Sequence, residues 1–147
     1  MTGGADDLYR EVILDHFKSP RNKGKLDSPS LRNEGVNPLC GDEVEITASL
    51  SDGKLTEIRF IGQGCAISQA SASMMTEILK GKTLEEARAL IVQFKGLLVP
   101  VEGGGTGLSG DPDDLGDLIA LEGVKKYAAR VKCATLAWNT LAEALPK

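Results

Sequence analysis

The pattern of apolar and polar positions predicts a first helix followed by an antiparallel hairpin. Apolar residues recur at helical spacing from Asp6 to Lys18, and include Leu8, Val12, Ile13 and Phe17. Apolar and polar residues then alternate from Glu43 to Leu50 and again from Leu55 to Ile61. Asp52-Gly53 between these runs favours a tight turn, so we expect two paired strands. Residues 21–36 lack such a pattern and are predicted to form a loop.

Further helices are predicted after the hairpin. The predicted helices span Ala66 to Lys80, Thr83 to about Phe94 with a capping box at its start, and about Cys133 to Leu145. The first of these helices is rich in small residues, and its run Ala-Ser-Ala-Ser over 70–73 would let another element approach closely. Residues 96–116 are predicted to form a break, and 115–127 a short helix broken near Gly123. Strands followed by helices indicate the α+β class.

Size and charge restrict the class of protein. A chain of 147 residues and 15.6 kDa suits one domain over 1–147. The net charge of −4 argues against a nucleic-acid partner, whose binding surface would be basic. No apolar run is long enough for a membrane span, and residues 1–7 lack the features of a signal peptide. We therefore expect a cytoplasmic protein that has neither nucleic acid nor membrane as a partner.

A glycine-rich segment over residues 103–110 contains a formal G-x-G-x-x-G match from Gly105 to Gly110. A dinucleotide site needs a strand before this motif and a helix after it. Here Asp111-Pro112 follows instead of a helix start. We therefore predict a mobile loop.

Residues 37–42, Asn-Pro-Leu-Cys-Gly-Asp, place a thiol and a carboxylate two positions apart. In an extended backbone, Cys40 and Asp42 point the same way, and Gly41 permits a tight turn between them. A thiolate and a carboxylate directed at one point make half of a metal site.

Cys65 and Cys133 each lie at the predicted start of a helix. The free N–H groups and the dipole at a helix N-terminus favour a thiolate, and Arg130 and Lys132 add positive charge beside Cys133. Together with Cys40 and Asp42, these residues could bind zinc, or an iron–sulfur cluster, since thiolates are soft ligands. Alternatively, each cysteine is a small buried hydrophobic residue. His16, the only histidine, is more typical of a structural residue than of a ligand.

Three motifs in order give a more specific indication. Residues 37–42 are followed by Gly-x-Gly-Cys-x-Ile-Ser over 62–68 with Ala-Ser-Ala-Ser-Met-Met over 70–75, and by Arg-Val-Lys-Cys-Ala-Thr-Leu over 130–136. This pattern resembles the NifU/IscU family of iron–sulfur assembly proteins, and most of all its SufU branch. The resemblance covers essentially the whole chain. It implies a small antiparallel sheet of about three strands packed against four to six helices, with Cys40, Asp42, Cys65 and Cys133 as metal ligands.

Two departures from the scaffold-type pattern favour the SufU branch. Scaffold-type members have a histidine before the third cysteine, where this chain has Lys132. An extra segment at about residues 107–127 also resembles a SufU insertion. The resemblance then implies a zinc-bound sulfurtransferase that accepts persulfide sulfur from a SufS-type, PLP-dependent cysteine desulfurase and serves downstream iron–sulfur assembly proteins. The alternative is a scaffold on which a [2Fe–2S] cluster is built and handed to apoproteins, which would not be an enzyme by itself.

Single residues would take separate roles in such a sulfur transfer. Cys40 would be the sulfur acceptor, because it lies on the loop side of a turn that contains glycine, whereas Cys65 and Cys133 are expected to be anchored at helix starts. The resemblance implies that a histidine of the partner replaces Cys40 on the metal and so frees it. Arg130 could balance a site that is formally −2, with four anionic ligands and one divalent zinc, or it could form an ordinary surface ion pair.

Overall fold

The computed structural model describes residues 5–38, 41–98, 118, 121, 123, 124 and 127–146, with side chains from residue 11 onward except that of residue 128. In this part of the chain, four helices accompany a three-stranded sheet, which confirms the predicted fold class. The elements are α1 (Ala5–Lys18), β1 (Leu31–Asn37), β2 (Asp42–Ser51), β3 (Lys54–Gln63), α2 (Ala66–Leu79), α3 (Leu84–Leu97) and α4 (Ala128–Ala144).

The sheet has the order β1-β2-β3, and both pairs of neighbours are antiparallel. The predicted hairpin turn is confirmed, since Asp52 and Gly53 both have positive φ, at 53° and 76°. One face of the sheet supplies buried side chains to the core, among them Val44, Ile46, Ala48, Ile58 and Phe60. The ends of β1 and β2 meet where Asn37 pairs with Asp42, which brings residues 37–42 to one end of the sheet.

Helix α2 packs against both α1 and α4. Its residues 70–73 are almost fully buried, so their small side chains allow the close approach that the sequence predicts. The Ser71 hydroxyl donates to the Ala134 carbonyl on α4 at 2.5 Å, and Ser73 Oγ lies 2.8 Å from Nδ1 of His16 on α1. His16 is buried in this contact, which supports a structural role. Phe17, one of the apolar residues at helical spacing in α1, is 43% exposed.

Helix α3 begins with the predicted capping box, in which Thr83 and Glu86 satisfy each other's backbone N–H groups. It continues to Leu97, beyond the predicted end near Phe94. The extra turn carries Leu97 into the core, where it is buried. Phe94 stacks on Trp138 of α4 with ring centroids 4.3 Å apart.

The loop predicted over residues 21–36 is wrong in its second half, where β1 forms the edge of the sheet. Its half-buried positions are Leu31, Asn33 and Gly35, so the strand lacks the apolar alternation by which strands are recognised. Helix α4 packs over β1, and a Cβ on Gly35 would overlap the Thr140 hydroxyl. Close packing against a helix therefore explains a strand of polar and small residues.

The predicted start of the last helix, near Cys133, is also wrong. Helix α4 begins at Ala128, so Cys133 follows its first residue by five positions. The first turns of α4 carry the polar residues Arg130 and Lys132, which are exposed. The sequence there lacks the apolar spacing by which a helix is recognised. Of residues 115–127, where a short helix was predicted, those described at 118, 121, 123 and 124 lie in 3₁₀ turns.

The glycine-rich segment 103–110, including its G-x-G-x-x-G match, lies outside the described residues. Among the helices that are described, none combines the length and apolar character needed to cross a membrane.

Candidate metal centre

Three of the four proposed ligands meet at the end of the sheet where β1 and β2 join. One ligand atom each from Asp42, Cys65 and Cys133 all lie within 4.8 Å of one another. The residues come from the start of β2, the start of α2 and the body of α4. Residues distant in the sequence thus form one potential metal-binding cluster. The fourth proposed ligand, Cys40, lies outside the described residues.

Asp42 is fully buried as the first residue of β2. Its Oδ1 accepts a hydrogen bond from the backbone N–H of Cys65 at 3.0 Å, which joins the strand to the start of α2. Its Oδ2 is buried and has no hydrogen-bond partner in the described part of the chain. Gly64 lies against this carboxylate, and a Cβ at that position would overlap Oδ1. Gly64 belongs to the Gly-x-Gly-Cys motif, but the motif alone does not indicate that this glycine leaves room for a carboxylate.

Cys65 is the N-cap residue of α2, as the sequence predicts. Its Sγ accepts a hydrogen bond from the backbone N–H of Ser68 at 3.4 Å. This contact holds the sulfur at the start of the helix and occupies one of the N–H groups that the first turn leaves free. The side chain is partly exposed, so the thiol is accessible as well as fixed in position.

Cys133 is buried inside α4, and its environment differs from that predicted. Because a helix dipole acts mainly within the first turn, it does not account for a thiolate five residues along. Side chains supply donors instead, since Asn37 Nδ2 lies 3.8 Å from Cys133 Sγ. As a thiol, Cys133 donates to the Ala129 carbonyl at 3.7 Å. Asn37 belongs to the motif over residues 37–42, but no local pattern there indicates its contact with Cys133.

Arg130 lies on the exposed side of α4 near both cysteines. The pKa of its guanidinium is raised, first by the charge of Cys65 and then by a hydrogen bond to Cys133. Charge balance by Arg130 stays a prediction. Lys132, the residue directly before Cys133, is exposed.

The cluster has the chemistry of a cation site. A buried carboxylate oxygen without a partner is costly, and a bound cation would remove that cost. Ligand atoms around a tetrahedral zinc ion lie about 3.5 Å apart, given bond lengths of about 2.0–2.3 Å. The described atoms, within 4.8 Å of each other, are already close to that arrangement. Two sulfur ligands and one oxygen ligand suit zinc, and the sulfurs also suit iron in a cluster.

Comparison with known proteins gives one consistent family. The family model described as the NifU-like N-terminal domain matches residues 8–134 of this chain. The zinc-dependent sulfurtransferase SufU of Bacillus subtilis is 44% identical over 97% of this chain and 92% of its own length. The iron–sulfur cluster assembly scaffold protein IscU of Thermotoga maritima is 41% identical over 95% of this chain and 94% of its own.

Solved structures agree with this result. A protein of Fervidobacterium islandicum, described as a putative iron–sulfur cluster assembly scaffold for the SUF system, superimposes with a TM-score of 0.84 and 36% identity. That match covers 97% of this chain and 100% of the other. The N-terminal part of a NifU-like protein from Brucella abortus gives a TM-score of 0.80 at 27% identity, over 95% and 92% of the two chains. The chain therefore belongs to the family of NifU-like N-terminal domains.

Proposed function

We propose that this protein works in iron–sulfur cluster assembly as a zinc-bound sulfur acceptor. It would take sulfur from the persulfide of a SufS-type, PLP-dependent cysteine desulfurase and pass it to downstream assembly proteins. The observation that carries this proposal is the group of Asp42, Cys65 and Cys133, in which a buried carboxylate oxygen lacks a partner among the described residues. The zinc-dependent sulfurtransferase among the relatives supports the choice of metal and reaction.

Asp42, Cys65 and Cys133 would hold the zinc ion together with Cys40. Bound zinc would keep the ligand thiols in the thiolate form at neutral pH. The described ligands are fixed by the fold, since Asp42 is bonded to the backbone of Cys65, and Cys133 lies within a helix. Three thiolates and a carboxylate with one divalent ion give a formal charge of −2. Arg130, near both described sulfurs, is well placed to offset part of it.

Cys40 is the proposed acceptor because its position in the sequence differs from that of the other two cysteines. Cys65 caps a helix and Cys133 is buried within one, whereas Cys40 belongs to the connection between β1 and β2. Its thiolate would attack the outer sulfur of the donor persulfide. The new S–S bond to Cys40 forms as the donor S–S bond breaks, and the donor cysteine leaves as a thiolate. Cys40 must be free of the ligand set when it reacts, because a metal-bound thiolate is a weaker nucleophile.

The alternative is a scaffold that carries a [2Fe–2S] cluster as its cargo. The IscU relatives and the sulfur ligands favour it, since thiolates are the usual ligands of such clusters. Among the described side chains no histidine is available as a ligand of the cluster. His16 lies on α1, where it is buried against α2 in contact with Ser73. The residue before Cys133 is the exposed Lys132. These two observations favour the sulfur-acceptor function.

Transfer of radioactive sulfur tests the proposal. The protein is incubated with a SufS-type desulfurase and sulfur-labelled cysteine, and label bound to the chain is measured after non-reducing separation. We expect label on the parent protein and none on Cys40→Ala. Cys65→Ala keeps the acceptor thiol, so we expect it to carry label. Trp138 fluorescence shows whether each variant is folded, since this side chain is fully buried. Label on Cys40→Ala equal to that on the parent would rule out Cys40 as the acceptor.

A further inference from the structure

We propose that Asn37 is a positioning residue for the metal centre, which holds Cys133 in place as a ligand through an N–H···S hydrogen bond. This inference rests on the proposed function, because it requires Cys133 to bind a metal. It adds a residue that contacts a ligand and not the metal itself. Such outer contacts orient the ligands of a metal site and raise its affinity.

Asn37 connects three parts of the centre. It is the last residue of β1 and pairs with Asp42, the first residue of β2. Its backbone carbonyl accepts a hydrogen bond from the N–H of Gly41 at 2.9 Å, which closes the connection that contains Cys40. Its side chain is buried, and Nδ2 lies 3.8 Å from Cys133 Sγ on α4. A single residue thus links the β1–β2 connection to a ligand 96 positions further along the chain.

The location of Cys133 explains why a side-chain donor is needed. Cys65 receives the backbone N–H of Ser68, because it caps α2. Inside α4, backbone N–H groups are engaged in the helix and cannot turn towards the sulfur of Cys133. The side chains of Asn37 and Arg130 supply donors instead. Arg130 is exposed, whereas the buried amide of Asn37 is fixed between the strand and the helix.

The chemistry of an amide suits this position. A thiolate accepts hydrogen bonds, and the NH₂ group of asparagine donates without adding charge. An aspartate in place of Asn37 would have nearly the same shape but would set an acceptor, and a negative charge, against the sulfur. Among substitutions of similar size, Asn37→Asp should therefore weaken metal binding most. Asn37→Ala removes the hydrogen bond to Cys133 without adding charge.

Asn33 provides a matched control on the same strand. Its Nδ2 donates to the Thr140 carbonyl at 2.9 Å and to Glu143 Oε2 at 3.4 Å, so it also joins β1 to α4, but neither partner belongs to the proposed ligand set. Asn33→Asp should therefore destabilise the fold for a similar reason and leave the metal centre unaffected. The pair Asn37 and Asn33 separates a role in metal binding from a role in packing.

The experiment measures zinc affinity by competition with a chelator, and the absorption spectrum of the cobalt-substituted protein. We expect the zinc Kd to rise about 10- to 100-fold in Asn37→Ala and further in Asn37→Asp, as for other changes outside the ligand set. Asn33→Asp should bind zinc like the parent. Loss of an N–H···S bond raises the energy of the sulfur electrons, so the sulfur-to-cobalt charge-transfer band should move to longer wavelength in the Asn37 variants alone.

Folding is checked by Trp138 fluorescence before metal is added. If Asn37→Asp does not fold, the zinc affinity and cobalt band of Asn37→Ala alone are compared with those of the parent. Unchanged zinc affinity and an unchanged cobalt band in a folded Asn37 variant would overturn the inference. So would equal losses of affinity in the Asn37 and Asn33 variants, because these indicate a general effect on packing. If the parent protein itself binds neither zinc nor cobalt, the proposed function fails first, so the two failures are distinguishable.

Discussion

Replacing Asp42 with asparagine should make the metal-free protein more stable and weaken its binding of zinc. Asp42 is fully buried, and its Oδ2 has no partner in the described part of the chain. Asparagine has the same shape and keeps the oxygen that accepts from the Cys65 N–H, so no cavity forms. A buried polar group without a partner costs about 1–3 kcal/mol, and more when it is charged. The amide nitrogen that replaces Oδ2 is also without a partner but carries no charge, so only the extra cost of the charge is removed. We therefore expect the metal-free variant to gain about 1 kcal/mol, or roughly 3 °C in Tm.

Zinc should reverse this order. A ligand at about 1,000 times its Kd stabilises a protein by about 4 kcal/mol, which exceeds the expected gain from Asp42→Asn. The parent protein should therefore melt above the variant in excess zinc and below it after treatment with a chelator. The assay is calorimetry of both proteins under both conditions. Asp52→Asn in the exposed β2–β3 turn is the control, because asparagine also tolerates the positive φ there, and it should shift Tm little in either condition.

Two results would refute this reasoning. A metal-free Asp42→Asn variant that melts below the parent would show that the carboxylate is well compensated without a metal. An equal rise of Tm with zinc in the parent and the variant would show that Asp42 is not a ligand.

Three further changes test the fold around the site. Glu45→Gln should lower stability more at pH 7 than at about pH 3, as measured by urea unfolding. The Arg32 hydrogen bond lowers the pKa of Glu45, so its contribution is complete above the unfolded value of about 4.3 and is lost as the pH falls through the lower folded value. Equal losses at both pH values would contradict this. Thr83→Ala should cost about 1 kcal/mol in the same assay through loss of the cap of α3, whereas an unchanged midpoint would argue against that cap. Gly35→Ala should cost about 1–3 kcal/mol by overpacking against Thr140, and Thr140→Ala should recover part of the loss in the double variant; additive losses would speak against this contact.

The sequence predicts well those elements whose pattern is local. The capping box at Thr83 and the Asp52-Gly53 turn depend on neighbouring residues, and both are confirmed. Strand β1 is not recognisable from the sequence because its inward face is mostly small and polar residues that fit beneath α4, and no local pattern indicates that packing. The start of α4 is hard to recognise for a related reason, since Arg130 and Lys132 are polar and face solvent.

The candidate site was predictable in composition but not in detail. The motifs predict Cys40, Asp42, Cys65 and Cys133 as ligands, and the structure brings the ligand atoms of the last three together. The environment of Cys133 was predicted wrongly because it depended on where α4 begins. Its contact with Asn37 joins residues 96 positions apart, so only the folded chain reveals it.

Elemental analysis of protein purified without added metal tests the central claim most directly. The sample is assayed for zinc, iron and acid-labile sulfide on the same preparation, against protein concentration from amino-acid analysis. We predict about one zinc ion per chain, as expected for one four-ligand site, with neither iron nor acid-labile sulfide. Iron accompanied by acid-labile sulfide in place of zinc would contradict the sulfur-acceptor account and favour the scaffold.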